Sequence, residues 1–226
     1  MKFNFGKKQK LKRSIPLSAA DKFFPVRLVE ILDFYLHGDD FRILDPTCGD
    51  KLSWRYYFDL HRRKNEGFFC SCFSYEVYFS DIKRGEFQDE VILLQDLNFD
   101  FLFDAIFFDP PYIFGNKNTE DVRELQYGGY ENTYDDFCSL LGKANDKFPS
   151  LLKENGLLFL KATDVFDLSQ RKYCHHSDWL SLFDNFVIVD CFITLHHHIS
   201  GTAWQVKERP CSILNYTYLF VMRKKG

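Results

Sequence analysis

The chain has 226 residues, 46% of them hydrophobic and 27% charged, with 29 Lys and Arg against 32 Asp and Glu for a net charge of −3. This is the composition of a soluble globular protein with a substantial core, and no apolar run is long enough for a membrane-spanning helix. Seven Cys, an odd number at irregular spacing, exclude a regular disulfide framework and read as reduced thiols in a cytoplasmic compartment. The 26 Phe point to an aromatic core and to no particular function.

Residues 1–20 form a basic arm. Lys2, Lys7, Lys8, Lys10, Lys12 and Arg13 occur there without an acid in the first 13 residues. Such a run suits phosphate contact or serves as a solubilising tail. It is followed by SIPLSAADKFFP rather than a continuous apolar stretch, so no secretory signal is expected.

Residues 21–226 read as one domain in which helices and strands alternate. The spacing of apolar residues over 24–37 predicts a helix, with Pro25 in its first turn, where a missing N–H costs nothing. FRILD (41–45) is a short strand that runs into the turn PTCGD and then a helix over 51–64. SYEVYFSD (74–81), VILLQD (91–96) and FDAIFFD (103–109) read as three further strands. The last ends at Asp109-Pro110-Pro111, because proline cannot donate to a ladder. A polar stretch over 113–133 precedes a helix near 134–153, broken or kinked near Pro149. Gly156 marks the start of the strand LLFLKA. Two long strands, 186–195 and 213–223, close the chain. With no helical period between them they read as an antiparallel pair, the rest as an α/β domain with a mostly parallel sheet and helices on both faces.

Two segments carry chemistry. Asp109-Pro110-Pro111-Tyr112 follows an apolar strand, so an acid, a rigidly held carbonyl and an aromatic ring fall within four residues at a strand's carboxyl end. That is where open α/β sheets bind ligands. Asp45-Pro46-Thr47-Cys48-Gly49-Asp50 is a strand end, a tight turn of small residues and a helix start, which lets a ligand approach the backbone.

Together, DPTCG and, about sixty residues later, DPPY resemble the S-adenosylmethionine-dependent amino-methyltransferases of DNA, which are marked by D-P-x-x-G-x-G and [DNS]-P-P-[YFW]. The resemblance covers most of the chain. It implies a Rossmann-like class I methyltransferase fold ending in an antiparallel strand pair, with S-adenosylmethionine as cofactor and no metal. Lys22-Phe23-Phe24-Pro25 with Leu28-Val29 looks like the family's leading helix, beside the methionine part of the cofactor. Asp45, Pro46, Thr47, Cys48 and Gly49 match the cofactor turn, Asp81 the acid on the ribose hydroxyls, and Asp96 the group near the adenine. Asp109 and Pro110 would accept hydrogen bonds from the target amine, and Tyr112 would stack on an extruded base. Lys51 stands where the family has its second glycine, which puts the contacts of this loop in question.

The implied substrate is adenine N6 in duplex DNA, then cytosine N4. RNA base amino groups (guanine N2, adenine N6) and a catalytically silent nucleic-acid-binding subunit are the alternatives; intact Asp109 and Tyr112 argue against the silent one. Two loops are candidates for target recognition: 113–133, and 196–211 with Trp204, Lys207 and Arg209, an aromatic and two cations suited to base and phosphate. The groups Cys70 with Cys72, Cys174-His175-His176 and His196-His197-His198 lack zinc-ligand spacing.

Overall fold

The computed structural model describes residues 16–20, 24–36, 41–49, 51–59, 75–81, 90–91, 93–111, 133–167, 172–195 and 216–226. In chain order the strands are β1 (Ala19–Ala20), β2 (Phe41–Asp45), β3 (Tyr75–Asp81), β4 (Glu90–Val91), β5 (Phe103–Phe108), β6 (Leu152–Ala162), β7 (Val165–Asp167), β8 (Lys172–Cys174), β9 (Phe186–Leu195) and β10 (Tyr216–Lys224). Among the described residues the helices are α1 (Phe24–Tyr35), α2 (Tyr134–Leu151) and α3 (His176–Leu180), with 3-10 turns at Leu52–Trp54, which continues as α-helix over 55–59, and at Leu94–Asp96.

The described strands form a sheet in the order β1-β9-β10-β6-β5-β2-β3-β4, and β7 and β8 form a separate hairpin. β2 runs parallel to β3 and β5, and β5 parallel to β6. β10 is antiparallel to both β6 and β9. This is a Rossmann-like class I methyltransferase fold: a mostly parallel sheet that closes in the antiparallel pair expected from the sequence. β1 adds a two-residue parallel pairing with β9 at Ala19↔Ile193 and Ala20↔Thr194, so the end of the segment read as an arm belongs to the sheet.

Period-2 alternation divides the apolar side chains of the sheet between two cores. On one face Ala105, Phe107, Leu157, Phe159, Leu219 and Val221 meet Phe24, Leu28, Ile31 and Leu32 of α1. On the other face Ile106, Phe108, Leu158, Leu160, Phe220 and Met222 meet α2 and Trp179 of α3. β5 is buried on both faces, which is why its sequence reads as a nearly continuous apolar run. α2 starts with a capping box in which the Thr133 hydroxyl accepts from Asp136 N and the Asp136 carboxylate accepts from Thr133 N, each at 3.2 Å.

Four elements depart from the sequence expectation. The strand expected over 91–96 is only Glu90–Val91, followed by the 3-10 turn that holds Asp96. Leu94 and Leu97, three apart, are both buried, and i,i+3 side chains align in 3-10 geometry rather than in a strand. The helix after the Asp45–Gly49 turn opens as 3-10 and is α-helical over 55–59; residues 60–64 lie outside the described ones. α2 passes through Pro149 and ends at Leu151, its last carbonyls capped by the Lys224 ammonium, 2.7 Å from the Leu152 oxygen and 3.3 Å from that of Pro149. β6 then begins at Leu152 rather than after Gly156, and Gly156 sits in a register shift between Leu152 and Leu157. A β-carbon there would lie 3.0 Å from Leu152 Cβ and 3.1 Å from the Lys153 carbonyl. The β7–β8 hairpin and α3 have no counterpart in the sequence reading.

Candidate active site

Both motifs stand at the carboxyl edge of the sheet. From β2 the chain runs outward to β3 and β4, then returns past β2 to β5 and β6. The switch in direction falls between β2 and β5, and it opens a crevice at their carboxyl ends. The β2–β5 register pairs Leu44 with Ile106. Counting on from that pair, Thr47 falls level with Asp109, and the Asp109 backbone N–H donates to the Thr47 hydroxyl at 2.9 Å.

Asp45 is 1% exposed and braces the turn from within. One carboxylate oxygen accepts from Thr47 N at 3.0 Å, and the other accepts from the Trp54 indole N–H at 2.7 Å. Trp54 is fully buried and makes edge-to-face contacts with Tyr57, Phe79 and Phe107 at 5.6–5.9 Å between centroids. A buried carboxylate is costly unless its oxygens are bonded, and here both are. Pro46 and Cys48 are buried, while Gly49 and Thr47 are partly exposed. Cys48 N donates to the Ser80 carbonyl at 3.3 Å, which ties the turn to the end of β3, one residue before Asp81.

Gly49 has φ 46°, and Lys51 adopts the left-handed conformation at φ 55°, ψ 26°. Lys51 is therefore a residue other than glycine at a backbone position that favours glycine, at a cost of about 1–2 kcal/mol. Its ammonium rests 3.6 Å from the centroid of the Phe79 ring, a contact worth about 0.5–2 kcal/mol. Lys51 thus holds a left-handed backbone geometry and places a cation over an aromatic face.

Asp109 is 21% exposed at its side chain, and its Oδ2 accepts from the Lys161 ammonium at 2.5 Å. Lys161, on β6, is 16% exposed and lies 4.8 Å from the centroid of Phe24, the first residue of α1. Phe24, placed by resemblance near the cofactor, is thereby linked through Lys161 to Asp109. Pro25 and Pro110 are buried, Pro111 is partly exposed, and Asp96 is exposed. Asp81 ends β3. Tyr112, residues 113–132 and 196–211 of the two candidate recognition loops, with Trp204, Lys207 and Arg209, and the first 15 residues lie outside the described residues.

Sequence reasoning missed Lys161, Trp54 and the bonding role of Thr47. Lys161 lies 52 residues from Asp109, and a lysine in an apolar strand gives no local hint of its partner. A second polar cluster, also missed, lies beyond the end of β6. Asp164 is 4% exposed and accepts from His176 N at 2.7 Å, contacts the His176 ring at Nδ1 at 2.8 Å and accepts from the Tyr216 hydroxyl at 2.8 Å.

No protein-family model matches the chain, and no curated protein matches it in sequence. Solved structures match in fold. The 1,6-didemethyltoxoflavin-N1-methyltransferase of Burkholderia thailandensis, with bound 1,6-didemethyltoxoflavin and S-adenosylhomocysteine, aligns with TM-score 0.52 at 12% identity, over 89% of this chain and 78% of that one. TrmN from Thermus thermophilus aligns with TM-score 0.49 at 15% identity over 89% of this chain; the chain spans 49% of TrmN. A S-adenosylmethionine-dependent methyltransferase from Clostridium acetobutylicum aligns with TM-score 0.49 at 10% identity, over 90% of this chain and 91% of that one.

Proposed function

We propose that the chain is a S-adenosylmethionine-dependent methyltransferase that modifies an exocyclic amino group of a nucleobase, adenine N6 in duplex DNA first. One observation carries this reading. The carboxylate of Asp109 and the carbonyl of Pro110, two acceptors on a backbone stiffened by Pro110 and Pro111, stand at the switch point of a methyltransferase-type sheet. The backbone N–H of Asp109, which precedes both acceptors, donates there to Thr47 in the glycine-containing turn after β2.

The residues present fit the cofactor. The turn at Thr47–Gly49 has the positive φ that brings backbone close to a ligand. It is tied to the end of β3, where Asp81 would accept from ribose hydroxyls, and the exposed Asp96 would meet the adenine. Asp45 is occupied in bracing the turn and acts on the cofactor only through the turn's shape. When bound, S-adenosylmethionine supplies an electrophilic methyl group on a sulfonium.

An aromatic amino nitrogen is a poor nucleophile because its lone pair is delocalised into the ring. Accepting both N–H groups favours a pyramidal nitrogen with a localised lone pair. Lys161 holds Oδ2 of Asp109 and leaves Oδ1 as the acceptor for one N–H, while the Pro110 carbonyl takes the other. These acceptors are fixed before substrate arrives, which is the electrostatic preorganisation that lowers barriers most. Tyr112 would stack on the extruded base, worth about 1–3 kcal/mol, against the cost of unstacking. Trp204, Lys207 and Arg209 of loop 196–211 and the segment 113–133 are the proposed DNA contacts.

The test is transfer of labelled methyl from S-adenosylmethionine to duplex DNA, total RNA and protein, side by side. Label in DNA supports the proposal, label in RNA alone moves the substrate, and label in neither nucleic acid overturns it.

A further inference from the structure

Asp109 and Lys161 stand level on neighbouring strands and on one face of the sheet. The β5–β6 register pairs Phe107 with Phe159 and Phe108 with Leu160, so the next residues, Asp109 and Lys161, fall opposite each other. Phe107 and Phe159 both belong to the core beneath α1, and period-2 alternation places the side chains two residues on, those of Asp109 and Lys161, on that same face. The Lys161 ammonium lies 2.5 Å from Oδ2 of Asp109 and 4.8 Å from the centroid of Phe24. The next side chains in the row are apolar: Leu219 of β10 opposite Lys161, and Phe192 of β9 opposite Leu219. An acceptor and a donor therefore stand side by side at the carboxyl edge of the sheet.

An ammonium is a poor choice if its work is only to hold the carboxylate. The target amine is activated by the negative charge of Asp109, and a full positive charge at Oδ2 draws that charge away from Oδ1. A neutral donor such as Ser, Thr or Asn would fix Oδ2 at a smaller loss. The ammonium also carries three N–H donors, of which one lies along the bond to Oδ2. The lysine is accounted for if the cation itself meets the substrate.

The base edge supplies the partner. On the Watson–Crick edge of adenine the amino nitrogen N6 stands next to the ring nitrogen N1, and in cytosine N4 stands next to N3. Each is a donor beside a ring acceptor, and enzymes that extrude a base read this edge by hydrogen bonds. An amine that donates to the Asp109 carboxylate at about 2.9 Å sets the neighbouring ring nitrogen within reach of an ammonium that is itself 2.5 Å from that carboxylate. Asp109 and Lys161 then match the edge as acceptor and donor. Guanine carries a ring N–H beside its amine on the same edge, which an ammonium repels.

We propose that Lys161 is a specificity-determining residue: its ammonium donates to the ring nitrogen beside the target amine, N1 of adenine or N3 of cytosine, while Asp109 and the Pro110 carbonyl accept from the amine. The proposal rests on the methyl-transfer reading above and goes beyond it in assigning which base edge the site accepts.

The experiment measures kcat/KM for methyl transfer to a duplex oligonucleotide carrying a site that the wild type methylates, with the target adenine intact or replaced by 1-deazaadenine. For a cytosine target the analogue is 3-deazacytosine. Replacing the ring nitrogen by C–H removes the acceptor, makes the amine more electron-rich and weakens its base pair, so both side effects favour reaction. The wild type is expected to act on the analogue about tenfold to a hundredfold more slowly, the worth of a hydrogen bond from a charged group. Lys161→Met should lose this discrimination and treat the two bases alike to within about threefold, whatever its overall rate. Because the ratio is taken within each protein, a less stable or slower variant does not change it, whereas a lysine that only holds Asp109 would leave the wild-type ratio in place. A wild type that methylates the analogue as fast as the natural base overturns the proposal without any variant, and so does a Lys161→Met protein that keeps the wild-type ratio. Either result leaves the methyl-transfer reading standing, because the natural base is still methylated. A wild type that methylates no DNA base removes both.

Discussion

The backbone N–H of Asp109 donates to the hydroxyl of Thr47 across 62 residues of sequence, at 2.9 Å. The two motifs that define the site are therefore one hydrogen-bonded unit. Thr47 Oγ1 also lies 3.4 Å from the Asp45 carboxylate, so the bond chain runs from the buried Asp45 and Trp54 pair to the start of the Asp109-Pro110-Pro111 segment.

Thr47→Val removes that acceptor while keeping the shape of the side chain. It leaves a partly buried N–H unsatisfied, which costs roughly 1–3 kcal/mol. Urea unfolding should show a loss in this range, and Thr47→Ser should recover most of it. Equal stability of the valine and serine variants would mean that the bond contributes nothing.

Lys161→Met keeps an apolar stem against Phe24 and deletes the ammonium. The side chains are only 16% and 21% exposed, so deleting the ammonium leaves the Asp109 carboxylate under-satisfied and should cost about 1–3 kcal/mol of stability. Methyl transfer should fall about tenfold or more, because a loosely held acceptor loses the alignment on which proximity depends. Binding of S-adenosylmethionine by calorimetry should stay near wild type. A variant with undiminished kcat would show that Asp109 needs no such support.

Lys51 offers a test in which the usual order of glycine and alanine reverses. At φ 55° alanine keeps the backbone strain and loses the cation over Phe79, whereas glycine loses both. Lys51→Gly should be about 1 kcal/mol more stable than Lys51→Ala, the opposite of their order inside a helix. The same order as in a helix would mean that the left-handed conformation is not kept.

Burial pushes the Asp164 carboxyl toward its neutral form, but the bonds from His176 N, the His176 ring and the Tyr216 hydroxyl outweigh it and hold its pKa below the ordinary 3.8. A carboxyl lowered in the folded state stabilises fully above its unfolded value and loses that contribution as pH falls through the folded one. The stability difference between wild type and Asp164→Asn should be constant at neutral pH and shrink below about pH 4. A difference that does not depend on pH would assign the effect to packing.

Local signals made much of this legible. α1, β2, β3, β5 and the closing antiparallel pair follow from periodicity and proline placement, and the cofactor turn and the acid-proline-proline segment each sit within a few residues. The rest depends on contacts that sequence does not display. Whether VILLQD extends or turns is decided by Leu94 and Leu97 both reaching the core, a tertiary outcome. Lys161, Asp164 and His176 acquire meaning only when β5, β6, α3 and β10 come together, and a lysine at a strand end or an Asp-His pair twelve residues apart is common without function. Trp54 reads as an ordinary aromatic until its indole N–H is seen on Asp45.

The central claim is that Asp109 acts on an amino group of a nucleobase. It is tested most directly by reacting duplex DNA with S-adenosylmethionine and the wild-type or Asp109→Ala protein, digesting the DNA to nucleosides and measuring N6-methyldeoxyadenosine and N4-methyldeoxycytidine by mass spectrometry. The account expects a methylated amino nucleoside, N6-methyldeoxyadenosine first, with the wild type and none with Asp109→Ala, although the variant still binds the cofactor. A product formed by Asp109→Ala within tenfold of the wild-type rate, or a methyl found only on a ring carbon or ring nitrogen, would contradict it.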